Sequence, residues 1–142
     1  MTAPTIFFIV WLLVTIYILR TLYIRGKKAL SVFPDINTVK INYRDRAASG
    51  YSTKNWTTKI GGARNSLDIV VTDKELWLKS MLLFASIGKR YDLVHRVSLD
   101  KVLVKKEEGN QLSLEFTNDK GELKQIIVTT KDKLGFLKSI HR

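Results

Sequence analysis

The chain has 142 residues, enough for one domain of ordinary size or for a small domain with an anchoring segment, but not for a second enzyme-sized domain. Lysine and arginine number 24 against 13 aspartate and glutamate, and the resulting net charge of +11 favours anionic partners: acidic phospholipid, nucleic acid or an acidic protein. The sequence has no cysteine, which excludes a disulfide framework and a thiolate zinc site.

The first distinct segment is the apolar run TIFFIVWLLVTIYILRTLYI, residues 5–24, in which Arg20 is the only charge. At a helical rise this run covers about 30 Å, the hydrocarbon thickness of a bilayer. A buried core helix would show a polar face, whereas residues 6–19 are apolar all round apart from Thr15. The flank MTAP lacks the positive charge of a signal peptide, and no A-x-A pattern follows the run. We therefore predict a transmembrane anchor over residues 1–24.

The charges that flank this run predict its orientation. Arg25, Lys27 and Lys28 follow it, whereas no basic side chain precedes it. The positive-inside rule then places the N-terminus outside and residues 25–142 in the cytoplasm, as in a single-pass protein of the cell inner (plasma) membrane. Arg20 lies one turn before the end of the run and can extend to the same headgroups.

The sequence after the anchor divides into a linker and a β domain. Residues 25–38 mix basic residues with Gly26 and Pro34, and they predict a short juxtamembrane linker without a long helix. From Val39 onwards, alternating segments predict a mainly-β barrel or sandwich of about seven antiparallel strands, with these cores: VKINY, LDIVV, ELWLK, DLVHRVSL, KVLVK, LSLEF and LKQIIV.

Short signals mark the turns and the end of this domain. Residues 108–110 and 119–121 each carry the Gly or Asn that a tight hairpin needs for a positive φ. The last stretch, TTKDKLGFLKSIHR, predicts a closing amphipathic helix, with Thr130 as its N-cap.

Two stretches carry a resemblance to a known family. GGARNSLDIVVTDKELWLKS resembles the signature of GRAM-type and bacterial pleckstrin-homology-like (PH-like) domains, in which a Gly-Gly pair leads into a strand, a T-D/N-K-x-L hairpin and a second strand. DLVHRVSLDKVLVKK resembles the family's i-x-l-x-d-I strand, and the terminal helix falls where that family's helix plugs the open end of its barrel. The resemblance covers residues 39–142 and implies a PH-like fold with a binding or scaffolding role.

The stretch RAASGYSTKNWTTKIGGARNSL, residues 46–67, is rich in small, hydroxyl and basic residues. Its glycines are not in the frame of a Walker loop, and its serines match neither G-x-S-x-G nor S-x-x-K. We interpret TKNWTTKIGG as a β segment anchored by Trp56 and Ile60, entered through an AASGYS turn and left through a GGAR turn. The same hairpin could present basic side chains to phosphate headgroups. These candidates are Arg44, Arg46, Lys54, Lys59 and Arg64.

The stretch SMLLFASIGKRYDL carries five large apolar side chains ahead of Lys89 and Arg90. They are Met81, Leu82, Leu83, Phe84 and Ile87. Four adjacent apolar residues cannot all point into a core of short strands. The stretch is therefore a strand buried on both sides, a small covering helix, an interface for a protein partner, or a loop that enters the membrane interface with Lys89 and Arg90 at the headgroups.

No constellation in the sequence indicates catalysis. His95 and His141 are the only histidines, and no carboxylate pair or serine triad has a recognisable spacing. We predict no catalytic site, metal or cofactor. Nucleic acid is not expected as a partner, because the aromatic residues of the domain lie at strand-like positions more typical of a core than of a stacking platform.

The sequence thus predicts a non-enzymatic single-pass membrane protein whose cytoplasmic PH-like module docks on anionic lipid headgroups or on a membrane-associated partner. The alternative is a scaffold or accessory subunit of a membrane protein complex that binds its partner through the apolar stretch 81–87.

Overall fold

The computed structural model describes residues 1–141 and begins with one long helix, α1, from Ala3 to Leu30. The helix is long and apolar enough to cross a membrane, and almost all of its large apolar side chains are exposed. Its length differs from the prediction, because the residues after Ile24 continue the helix for six more positions. Arg, Lys, Ala and Leu are good helix formers, and Lys27 and Lys28 complement the negative end of the helix dipole. The predicted linker without a long helix therefore begins only at Ser31.

The segment that follows α1 is held against the sheet. The ring of Phe33 packs on Trp77 with 5.7 Å between ring centroids. Arg96 donates a hydrogen bond from Nη1 to the carbonyl oxygen of Val32 at 2.9 Å. Further on, Lys40 pairs with Asp73. The connection is thus fixed at both ends to the sheet that it leads into.

Seven antiparallel strands form a single sheet, as the sequence predicts, with the spatial order β4-β3-β2-β1-β7-β6-β5. The sheet is open, because the outer strands β4 and β5 are not paired with each other, so the predicted closure into a barrel is not observed. The strands are β1 Ile41–Ser52, β2 Ala63–Thr72, β3 Glu75–Ser80, β4 His95–Ser98, β5 Val102–Glu108, β6 Gln111–Thr117 and β7 Leu123–Thr129. Arg142, the last residue of the predicted domain, lies outside the described range.

Strand β1 joins the two halves of the sheet. It pairs with β2 from Ile41 to Gly50, and its last residues, Ser49–Ser52, pair with β7. Irregularities in the β1–β2 register allow this long strand to bend. The prediction of a turn at AASGYS was wrong, because these residues continue β1. Small side chains suit this crossing point, where a Cβ at Gly50 would lie 3.0 Å from the carbonyl oxygen of Ile127.

The prediction of a β segment at TKNWTTKIGG was also wrong, because Trp56–Ile60 form a short helix, α2. A capping box fixes this helix: the Asn55 side chain accepts a hydrogen bond from the Thr58 backbone, and the Thr58 hydroxyl accepts one from the Asn55 backbone. This local capping outweighs the weak strand pattern. Trp56 and Ile60 do not anchor a core, because both are largely exposed.

A closing helix, α4, spans Lys133–Ile140 and confirms the predicted amphipathic helix. Phe136 and Ile140 are buried against the sheet, and the Phe136 ring meets the edge of Tyr43 at 5.5 Å. The predicted cap was wrong, because Asp132 rather than Thr130 accepts the hydrogen bond from the backbone of Gly135. The core between sheet and helix consists mainly of Leu67, Ile69, Val71, Leu76, Leu78, Leu112, Leu114, Phe116, Ile126 and Val128.

The connection between β3 and β4 lies against α1. It forms a 3-10 turn over Leu82–Phe84 and a short helix, α3, over Ala85–Arg90, so it is a covering helix rather than a strand. Both pieces contact α1. Gly26 makes this packing close, because a Cβ at that position would overlap the carbonyl oxygen of Leu82. Ala29, one turn later on the same face, is 3% exposed.

We predict that Gly26→Ala loosens the contact between α1 and residues 82–90. Alanine favours a helix over glycine by about 1 kcal/mol, but its Cβ overlaps backbone, and overpacking of this kind costs about 1–3 kcal/mol. The second effect should dominate, and hydrogen exchange of the α3 amides should become faster. Lys28→Ala, an exposed position in the same part of α1, is the control and should leave exchange unchanged. Equal exchange in both variants would contradict the packing.

Candidate anion-binding cleft

Three connections of the sheet meet at the end that faces α1. They are the residues after β1, the segment between α3 and β4, and the β6–β7 turn. Antiparallel pairing explains this, since the pairing of Ser52 with Ile126 brings the end of β1 to the start of β7. The β3–β4 connection lies at the same end and also contacts α1. One end of the sheet thus combines three loops with the last turns of the anchor helix.

An open cleft of about 590 Å³ lies between these loops. Val32, which follows α1, forms part of its wall. Five basic side chains and three acidic ones line it, so the cleft carries a net positive charge. The charged lining residues are Lys54, Lys89, Arg96, Lys120, Lys124, Asp92, Asp119 and Glu122.

The basic residues of the cleft fall into two groups. Arg96 pairs with Glu75 at 2.9 Å, and Lys124 pairs with Asp92 and Glu122, each at 3.2 Å. Within residues 1–141, by contrast, Lys54, Lys89 and Lys120 have no carboxylate within salt-bridge distance. Each of these three lysines comes from a different connection between strands, so the cleft presents around one opening three cations that form no salt bridge within the described residues.

Asp92 connects the floor of the cleft. Its carboxylate accepts a hydrogen bond from the Ser52 hydroxyl at 2.8 Å, and it lies 3.2 Å from Lys124 Nζ and 3.3 Å from His95 Nε2. The backbone of Asp92 has a φ of 61°, a left-handed conformation that Asp and Asn tolerate better than most residues. One side chain therefore ties β1, β4 and β7 together beneath the three free lysines.

The environment keeps Asp92 ionised. Burial alone would raise its pKa, but the hydrogen bonds from His95, Ser52 and Lys124 outweigh burial and hold the pKa well below its usual range. Burial would also lower the pKa of Lys124, but its partners Glu122 and Asp92 raise that pKa instead. Lys124 is consequently committed to the ion pairs of the floor.

The contacts of Ser52 do not resemble those of an activated nucleophile. Its hydroxyl donates to Asp92, whereas a nucleophilic serine needs a base that can accept its proton. A carboxylate with a strongly lowered pKa is a poor base for this purpose. His95 lies on the other side of Asp92, where its Nε2 is 2.8 Å from the Asp92 carbonyl oxygen. These contacts give Ser52 and His95 a structural role in holding Asp92.

The structure divides the basic residues that the sequence singled out. Lys54 and Lys89 line the cleft, whereas Arg44 is held by a paired hydrogen bond to Asp68 at 2.9 and 3.1 Å and points elsewhere. Lys59 and Arg64 line a separate opening of about 310 Å³ beside β1 and β7. The remaining two, Arg46 and Arg90, are exposed and line neither opening.

The apolar stretch that the sequence singled out is largely exposed. Leu82 is half-buried against α1, but the other four side chains are exposed by between 38% for Leu83 and 60% for Met81. The four are Met81, Leu83, Phe84 and Ile87. Lys89 and Arg90 follow them at the exposed end of α3. A solvent-facing cluster of this kind needs a covering surface.

Sequence reasoning missed Lys120, Lys124 and Asp92 as site residues. Lys120 lies in the turn NDKG, which the sequence identified as a hairpin, so its position at a loop tip was readable. The proximity of Lys120 to Lys54 could not be predicted from the sequence, because it depends on the pairing of β1 with β7. Within the described residues, no group of three or more His, Asp or Glu side chains is arranged to hold a metal ion.

Comparison with known proteins adds no relatives. No model of a known protein family matches the chain, and no curated protein matches its sequence. A functional assignment therefore rests on the geometry of the cleft and on its position beside α1.

We predict that Asp92→Asn destabilises the fold by about 2–3 kcal/mol at neutral pH, the range for losing hydrogen bonds to a charged group. Asn tolerates the left-handed backbone, so the variant isolates the charge. Because folding lowers the pKa of Asp92, its contribution is complete above about pH 4 and is lost as the pH falls through the lowered pKa. The difference in the free energy of unfolding between the native chain and Asp92→Asn should therefore become smaller in acid.

Urea unfolding of the full chain in detergent, followed by circular dichroism, measures this difference. Asp119→Asn is the matched control, because it makes the same charge change in the same cleft without breaking an ion pair described here. If the two variants were equally stable at neutral pH, Asp92 would not organise the floor.

Proposed function

We propose that the chain is a non-enzymatic single-pass membrane protein whose domain docks on anionic lipid headgroups through the cleft. The observation that carries the proposal is the position of three unpaired lysines, Lys54, Lys89 and Lys120, at the end of the sheet that α1 contacts. If α1 spans a bilayer, this end faces the membrane surface. Phosphate oxygens are the ligands that such a ring of ammonium groups favours.

The distance from the apolar run to the cleft supports this assignment. Helix α1 continues six residues past Ile24, which corresponds to about 9 Å along its axis. The headgroup layer on each side of a bilayer is about 5–8 Å thick. Val32, just after the helix, lines the cleft, so the cleft opens near the outer edge of that layer. Arg25, Lys27 and Lys28 occupy the intervening helical turn and add positive charge there.

Orientation and family are parts of the same proposal. The basic residues after the apolar run favour a cytoplasmic domain, and the cytoplasmic leaflet of a plasma membrane carries the anionic lipids that the cleft would bind. A PH-like or GRAM-like assignment would account for seven antiparallel strands followed by a helix. Both assignments agree with a binding role.

Substitution of all three unpaired lysines tests the proposal. Each lysine near an anionic surface contributes about 1 kcal/mol, so Lys54→Gln, Lys89→Gln and Lys120→Gln together should remove about 3 kcal/mol of headgroup binding. The measurement is hydrogen exchange of the three loops in the full chain, in nanodiscs of phosphatidylcholine with and without phosphatidylserine. We expect phosphatidylserine to slow exchange in the native loops, less so at high salt, and to have no effect on the variant.

A second triple variant, Lys101→Gln, Lys131→Gln and Lys138→Gln, makes the same charge change at exposed positions outside the cleft and should respond like the native chain. Inositol hexakisphosphate added to phosphatidylcholine nanodiscs distinguishes a soluble phosphate ligand from a lipid. If this compound slows hydrogen exchange in the three loops and phosphatidylserine does not, the ligand of the cleft is a soluble anion rather than a lipid. Loops that respond to neither would overturn the proposal.

A further inference from the structure

We propose that the exposed apolar segment between β3 and β4, residues 81–87, lies in the membrane interface beside α1 and forms a second contact of the domain with the bilayer. This inference rests on the proposed function only in placing α1 across a bilayer. It does not depend on the cleft or on anionic lipid. The occupant of the apolar surface is lipid rather than a protein partner.

The contact between Gly26 and Leu82 sets the depth of this segment. Gly26 is two residues past Ile24, the last residue of the apolar run, and this spacing corresponds to about 3 Å along the helix. Because a Cβ at Gly26 would overlap the Leu82 carbonyl oxygen, the backbone of Leu82 lies at nearly the same level. With a headgroup layer of about 5–8 Å, the 3-10 turn lies within that layer.

The side chains around Leu82 are suited to this depth. Met81, Leu83, Phe84 and Ile87 are exposed although they are large and apolar, and interfacial helices bury such side chains about 5–10 Å into the boundary between headgroups and acyl chains. Lys89 and Arg90 follow at the end of α3, and Arg25 lies beside the contact on α1. Apolar side chains flanked by cations form the usual pattern of an interfacial segment.

A protein partner explains the position of the segment less well. A partner would have to enter the headgroup layer against α1 to reach these residues, whereas lipid surrounds an anchor helix at this depth in any case. Trp56 and Ile60 add to the argument, because these exposed residues belong to α2, which follows β1 at the same end of the sheet. Tryptophan is enriched at membrane interfaces.

Depth-dependent quenching tests the inference directly. The native chain has no cysteine, so Phe84→Cys can be labelled uniquely with an environment-sensitive fluorophore. The full chain is placed in phosphatidylcholine nanodiscs, with and without lipid that carries a nitroxide just below the headgroup. Leu134→Cys on α4 and Ile41→Cys at the opposite end of β1 from the cleft are exposed apolar controls away from the contact with α1.

We expect the label at position 84 to show a blue-shifted emission and to lose most of it to the nitroxide lipid, while both control labels keep a solvent-like emission. Ile87→Cys should behave like Phe84→Cys, which guards against a local disturbance by one label. Labels at 84 and 87 that are no more quenched than the controls would overturn the inference and leave the segment to a protein partner. Because the discs contain no anionic lipid, this result is independent of the cleft.

Discussion

The close packing of α1 on residues 82–90 is the constraint on which the rest of the account depends. Gly26 and Ala29 leave room on one face of the helix, and the β3–β4 connection fills it. The anchor is consequently not joined to the sheet by a flexible linker alone. Phe33 on Trp77 and the Arg96 hydrogen bond to Val32 extend the contact along the outer face of the sheet. If α1 spans a bilayer, a helix held in this way determines which end of the domain lies nearest to that bilayer.

Electrostatic pairing divides the charged residues at that end into those that form salt bridges and those that do not. Asp92 is a half-buried carboxylate that pairs with Lys124 and engages Ser52 and His95. The charges of the floor pair with one another, so within residues 1–141 the unpaired positive charge of the cleft lies on Lys54, Lys89 and Lys120, each in a different connection between strands. The excess of basic residues thus gives the whole chain a positive charge and also leaves three unpaired lysines around the cleft.

Much of the architecture could be predicted from hydrophobic periodicity alone. The apolar run, all seven strands and the closing helix follow from residue patterns that depend on near neighbours. The errors arose where short-range chemistry or packing overrode the pattern. Asn55 and Thr58 form a capping box that makes a helix of a weak strand pattern, and the small residues of AASGYS continue β1 through a crowded crossing. Gly26 was interpreted as part of a linker, although it belongs to a helix contact.

The candidate site was less accessible to sequence reasoning. Lys54 and Lys89 were singled out for their charge, but they are 35 residues apart in sequence. Only the order of the strands brings their loops together, and only the β1–β7 pairing adds Lys120. Asp92 belongs to no sequence motif, because its role depends on its contacts with Ser52, His95 and Lys124. Long-range pairing of this kind leaves no local signature in a single sequence.

The central claim is that α1 and the sheet form one rigid unit, and a distance distribution between the two tests it most directly. Spin labels on Tyr17→Cys in α1 and Leu103→Cys in β5, both exposed positions, can be measured by double electron–electron resonance in nanodiscs. Leu103→Cys paired with Lys74→Cys in the β2–β3 turn provides the reference for a rigid sheet. We predict that the anchor pair gives a single distribution as narrow as the reference pair. A broad distribution for the anchor pair alone would contradict the account, because the domain would then swing freely from its anchor.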